Sequence, residues 1–85
     1  MQNSMIFNKI VKILAHYGIE ANIIKPNASL SKDLGMDSLD YVELTMEMEL
    51  AFDLDIPTDR SEKVDTVEDL VTLVEELKKE QLAVS

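Results

Sequence analysis

The chain has 85 residues, 46% of them apolar, and sets 8 lysines and arginines against 17 aspartates and glutamates for a formal charge of −9. That length allows one small domain, residues 1–85 with a core over about 5–78, burying a little over ~60% of its unfolded surface, and the apolar share is too high for a disordered acidic tail. The charge makes phosphate backbones and anionic lipid poor partners, so nucleic acid and membrane insertion are set aside, and a basic protein surface becomes the natural complement.

The first ten residues, MQNSMIFNKI, lack the basic flank and long apolar stretch of a signal peptide. Nothing is apolar for long enough to span a bilayer. These features predict a cytoplasmic monomer, or the mature form of an organellar-matrix one. The first helix is expected from about Met5 to Tyr17. Ile6, Ile10, Ile13, Leu14 and Tyr17 share one face and Lys9, Lys12 and His16 the other, with Gly18 as a left-handed stop. Residues 19–36 hold Pro26, Gly35, Asn22 and Asn27 with apolar anchors at Ile19, Ile23, Ile24, Leu30 and Leu34. They read as a long ordered loop containing one short helical turn, and loops of this length in compact domains are usually functional.

The second helix should start at Asp37 or Ser38, with Asp37 as N-cap, and end near Asp53 ahead of Pro57. A short third helix is expected over Asp59 to Lys63. The fourth starts behind Thr66, with Asp69 completing a weak capping box. Val67, Leu70, Val71, Val74 and Leu77 form its stripe, and Glu75 sits four before Lys79. The expected fold is an all-α four-helix bundle with three main helices, a short third helix and a long loop between helices 1 and 2.

Residues 31–62 carry ten acids against Lys32 and Arg60, so almost the whole imbalance lies on the second helix and its flanks. A charge run is usually a solvated face. This helix, however, has more apolar residues than one core stripe needs. Tyr41, Leu44, Met48 and Phe52, with Ala51 alongside, already make such a stripe, whereas Leu39, Met46 and Leu50 gather beside Glu43 on another side. Either the helix is buried on two faces, or an exposed apolar strip is framed by Asp40, Glu43, Glu47 and Glu49. The second reading is favoured, because apolar contacts ringed by charge suit docking.

No catalytic residue and no metal site is expected. Without cysteine there is no disulfide, thiolate metal site or thiol nucleophile. His16, the single histidine, lies among lysines on a polar face, and G-x-S-x-G is absent. A calcium loop counted from Asp53 has Thr58 where glycine is required and Val64 where the bidentate glutamate belongs. Ser38 is left over. A serine in a first helical turn is commonly a cap, yet here it stands where amides and the helix dipole favour a phosphate.

Asp33-Leu34-Gly35-Met36-Asp37-Ser38-Leu39-Asp40 resembles the D-L-G-x-D-S-L-D signature of acyl carrier proteins. The context agrees from about Ile6 to Leu77: Gly18-Ile19 after the first helix, Asn27-Ala28-Ser29-Leu30 before the signature, and Asp55-Ile56-Pro57 after the second helix. The resemblance implies a non-catalytic carrier. Ser38 would be esterified to 4′-phosphopantetheine, taken from coenzyme A by a phosphopantetheinyl transferase, with Asp37 and Leu39 beside the cofactor. Acyl groups would ride as thioesters between fatty-acid-synthesis enzymes whose basic patches dock on Asp40, Glu43, Met46, Glu47, Glu49 and Leu50. It also implies an acyl pocket inside the bundle, between the second and third helices, lined by Leu30, Met48, Ile56, Val64 and Leu70, where each buried methylene stabilises by roughly 0.8 kcal/mol and Met48 adapts; a core role alone suits the same five residues equally well.

Some positions depart from the family. Arg60 stands where acids are typical, Leu50 and Ala51 replace acids, Glu47 adds one, and Tyr41 is bulkier than usual. These departures suit a specialised paralogue with its own clients. Two alternatives stay open: a carrier of aminoacyl or polyketide cargo on the same fold, and a cofactor-independent acidic helical docking adaptor.

Overall fold

The apolar periodicity near the N-terminus closes a helix, α1, over Ser4–Ala15, with Ile10, Ile13 and Leu14 buried and Lys9 and Lys12 in solvent. This and the following elements belong to a computed structural model that describes residues 4–84; residues 1–3 and 85, the ends of the expected domain, lie outside the described residues. α1 stops short of Tyr17 because the amides of His16, Tyr17 and Gly18 bond three residues back, tightening the last turn. Gly18 then turns the chain at φ +79°, a conformation that side chains resist.

The loop contains the expected turn, a 3-10 turn over Ala21–Ile23. Ile24, Ala28, Leu30, Leu34 and Met36 are buried, whereas Ile23, expected as an anchor, is 46% exposed on the turn's outer side. Backbone pairing with the segment leading into the last helix holds the loop. Leu30 N–H donates to the Asp65 carbonyl at 2.7 Å, Val67 N–H to Ala28 at 3.1 Å and Glu68 N–H to Pro26 at 2.8 Å. Ser29 is the one buried polar side chain of this stretch. Its hydroxyl donates to Asp65 Oδ1 at 3.0 Å and its amide to Asp33 Oδ2 at 2.7 Å.

Helix α2 spans Ser38–Phe52 and ends on Asp53 in the left-handed region at φ 54°. Helix α3, Thr58–Ser61, starts one residue early because Pro57, with φ already at −63°, caps it directly. Helix α4 spans Val67–Val84. The Thr66–Asp69 capping box forms: Asp69 N–H donates to Thr66 Oγ1 at 3.1 Å, and Thr66 N–H donates to Asp69 Oδ2 at 3.0 Å. These backbone donors hold the Asp69 carboxyl below its ordinary range against the opposing effect of burial.

Among the described residues there are four α-helices and no strand, which is the expected all-α bundle. Leu14, Leu30, Leu44, Met48, Val67, Val71 and Val74 form a core with almost no exposure, and the Cα radius of gyration is 12.1 Å. Leu73, outside the expected stripe of α4, is buried too, and Ala51, expected beside the core, is exposed. Glu75 and Lys79 are not among the ion pairs of the described residues; on α4 it is Glu76 and Glu80 that pair, with Arg60 of α3. No helix among them is long and apolar enough to cross a membrane.

Candidate functional site

Ser38 owes its position to the loop behind it. Gly35, at φ +71°, turns the chain, Met36 is buried and donates its amide to the Leu30 carbonyl at 2.9 Å, and Asp37 lies extended as the N-cap of α2. Asp37 Oδ1 accepts from Asp40 N–H at 3.0 Å, and Asp40 Oδ2 accepts from Asp37 N–H at 3.1 Å. This reciprocal box uses the Asp37 and Asp40 amides. Among the described residues no acceptor takes the amides of Ser38 and Leu39, so both point out of the helix start with the positive end of the dipole.

Ser38 is exposed, and its hydroxyl has no hydrogen bond among the described residues. The hydroxyls of Ser29, Ser31 and Ser61 are engaged, with Asp65, with Ser29 and with the Thr58 carbonyl respectively. A phosphodiester formed on Ser38 would therefore meet two free amides and the helix dipole, which is the local chemistry an anion requires.

From Asp37 and Ser38 a groove of about 740 Å³ runs between α2 and α3. One wall is α2, with Tyr41, Val42, Thr45, Met46 and Glu49; the other is Ile56 with Thr58, Ser61 and Glu62. Of the five residues expected around an acyl pocket, only Ile56 borders it. Leu30, Met48 and Leu70 are core residues, and Val64 packs half-buried against the core. The reason is angular: Met48 shares the inward arc of α2 with Leu44 and Phe52, whereas the groove lies along the neighbouring row Tyr41, Thr45, Glu49. Burial, and next the charge of Asp65, raise the Tyr41 phenol against the opposing effect of a hydrogen bond with Ser31.

The apolar strip of α2 is in solvent. Leu39 is 73% exposed, Met46 58% and Leu50 85%, with Glu43 between them, and Val42, which the sequence reading passed over, joins them. The acids around it divide. Asp40 is half-buried in the capping box, and Glu49 Oε2 accepts from Ile56 N–H at 2.8 Å across the base of the groove. Glu47 turns the other way, accepting from the Tyr17 hydroxyl at 2.8 Å and bonding His16 Nδ1 at 3.1 Å. Glu43 is thus the acid fully on the strip, and His16, expected free in solvent, has a partner.

Those bonds hold the Glu47 carboxyl below its ordinary value, the Tyr17 contact foremost, while burial and then Glu47 itself push the Tyr17 phenol up. A depressed carboxyl stabilises the fold above its unfolded pKa of roughly 4.3, and the contribution disappears as pH falls through the lower folded value. Glu47→Gln is accordingly expected to lower stability in urea melts by more at pH 7 than at about pH 4. An equal deficit at both pH values would contradict this.

Comparison with known proteins matches residues 8–74 to the family described as "Phosphopantetheine attachment site". An acyl carrier protein of Cyanidioschyzon merolae is 42% identical over 80 residues, covering 93% of this chain and 88% of that protein. An acyl carrier protein of Clostridium acetobutylicum is 45% identical over 71 residues, covering 82% of this chain and 92% of that protein.

Proposed function

The chain belongs to the acyl carrier proteins, and from that membership we propose that Ser38 bears the arm, that the groove beside it shelters the acyl chain, and that the strip of α2 docks client enzymes. The protein carries acyl groups, and a 4′-phosphopantetheine arm, when bound, supplies the thiol that holds them as thioesters. The observation that supports Ser38 is its exposed hydroxyl at the first residue of α2, which with the amides of Ser38 and Leu39 has no partner among the described residues.

The chain performs no chemistry of its own in this reading. His16, its single histidine, is bonded to Glu47, and nothing in the bonds around Ser38 would activate the hydroxyl as a nucleophile. A phosphopantetheinyl transferase therefore does the loading, and acyl-synthesis enzymes are the partners. Fatty acyl groups are the preferred cargo, supported by the acidic α2 and the D-S-L-D string at 37–40. A monomer of one domain, in the cytoplasm or an organellar matrix, completes the proposal.

Peptide mapping by mass spectrometry after incubation with coenzyme A and a transferase tests the assignment, with the adduct expected on the peptide holding Ser38. An adduct on Ser31 or Ser61 instead would overturn it.

Docking has its own test. Exposed apolar residues around a carboxylate speed encounter with a basic surface and permit quick release. Glu43→Lys is expected to lower the client's kcat/KM steeply at low salt and to leave the melting temperature unchanged. Asp40→Lys breaks the capping box and should also cost about 1 kcal/mol of stability. Equal melting losses for the two variants would show that Glu43 is not on a free face.

A further inference from the structure

Four residues of helix cannot hold themselves in place. Isolated helices shorter than ~12–15 residues are marginal in water, so α3 must take its position from what it is tied to. It buries none of its residues, and Pro57 gives it no side-chain cap. Thr58 and Ser61 face the groove, and among the described residues the Ser61 hydroxyl bonds only within α3, to the Thr58 carbonyl. The exception is Arg60. Its Nη1 donates to both carboxylate oxygens of Glu80, at 2.8 and 2.9 Å, and its Nη2 to Glu76 Oε1 at 3.2 Å. Glu76 and Glu80 are one turn apart on α4, where they would repel each other without a cation between them. Among the described residues these are the only side-chain bonds from α3 to another element.

We propose that Arg60 is a specificity-determining residue, which fixes the outer wall of the groove by tying α3 to Glu76 and Glu80 of α4 and so decides how well that groove shields an acyl chain from solvent. The proposal rests on the reading that the groove shelters the chain. Arg60 does not itself border the groove. It acts on the far side of α3, so cutting the tie frees a wall without changing the lining. A fork of parallel N–H donors matches two carboxylates in a way that a lysine cannot.

The test has two arms. In the first, amide hydrogen exchange is followed on the unloaded chain at Ser61 and Glu62, whose amides bond to the Pro57 and Thr58 carbonyls. Arg60→Ala, and separately Glu76→Gln with Glu80→Gln, are expected to speed exchange there by about ten-fold while Leu44 and Met48 stay as slow as in the native chain. In the second, hydroxylamine cleavage of octanoyl and acetyl thioesters is compared on the loaded carriers. Octanoyl is expected to be cleaved more slowly than acetyl on the native chain, and several-fold faster on the variants than on the native chain. Acetyl cleavage should hardly change.

Unchanged exchange at Ser61 and Glu62 in both variants would overturn the tie. Faster exchange with octanoyl still shielded would overturn its control of the groove. Octanoyl cleaved as fast as acetyl on the native chain would instead overturn the sheltering role of the groove, and with it this proposal, whatever the exchange arm reads.

Discussion

Ser38→Ala is expected to abolish acyl transfer to every client while leaving the melting temperature close to that of the native chain. The two halves of that expectation have different origins. The hydroxyl is the only part of Ser38 that changes; it is exposed and makes no bond among the described residues, so its loss costs the fold almost nothing. The N-cap of α2 is Asp37, and its reciprocal bonds with Asp40 survive the substitution. Function, in contrast, has no second route, because the chain contains no cysteine to hold a thioester. Circular dichroism melts and a client turnover assay on one preparation decide the matter. Residual turnover above background, or a large fall in melting temperature, would each show that Ser38 has been misread.

Leu44→Ala is expected to do the reverse, costing about 2–5 kcal/mol of stability. Leu44 is 1% exposed and lies on the inward arc of α2 with Met48 and Phe52. A chain of this size has roughly 4–13 kcal/mol in total at 0.05–0.15 kcal/mol per residue, so the loss would be a large share of its stability. Leu39→Ala, at a residue 73% exposed on the same helix, should change stability little and client affinity more. Urea melts of the pair test the division of α2 into an inner and an outer face. Similar losses at both positions would contradict it.

That division was legible because a helix converts spacing into direction. Leu44, Met48 and Phe52 went inward and Leu39, Met46 and Leu50 outward, as their residue numbers dictate. The stop at Gly18, the N-cap at Asp37 and the box at Thr66 and Asp69 were equally readable, being local chemistry within a few residues.

What spacing could not supply was the partner across a gap. The groove beside Ser38 was not legible because its second wall is the segment around α3, which meets the rest of the fold through Glu49 at Ile56 and Arg60 at α4. Glu47 was grouped with the docking acids because nothing in the sequence shows that Tyr17 and His16 lie opposite it. The loop was expected to be ordered, but the pairing of residues 26–30 with 65–68 that orders it joins segments too far apart in sequence to be read. The row Tyr41, Thr45, Glu49 was a readable signal for the groove, since i, i+4, i+8 is one line along a helix.

The most direct measurement is the intact mass of the native chain after incubation with coenzyme A and a promiscuous phosphopantetheinyl transferase, with Ser38→Ala alongside. A single phosphopantetheine adduct on the native chain and none on the variant is the predicted result. A well-folded native chain that takes up no adduct, or a variant that takes up one, would contradict the assignment of the arm to Ser38.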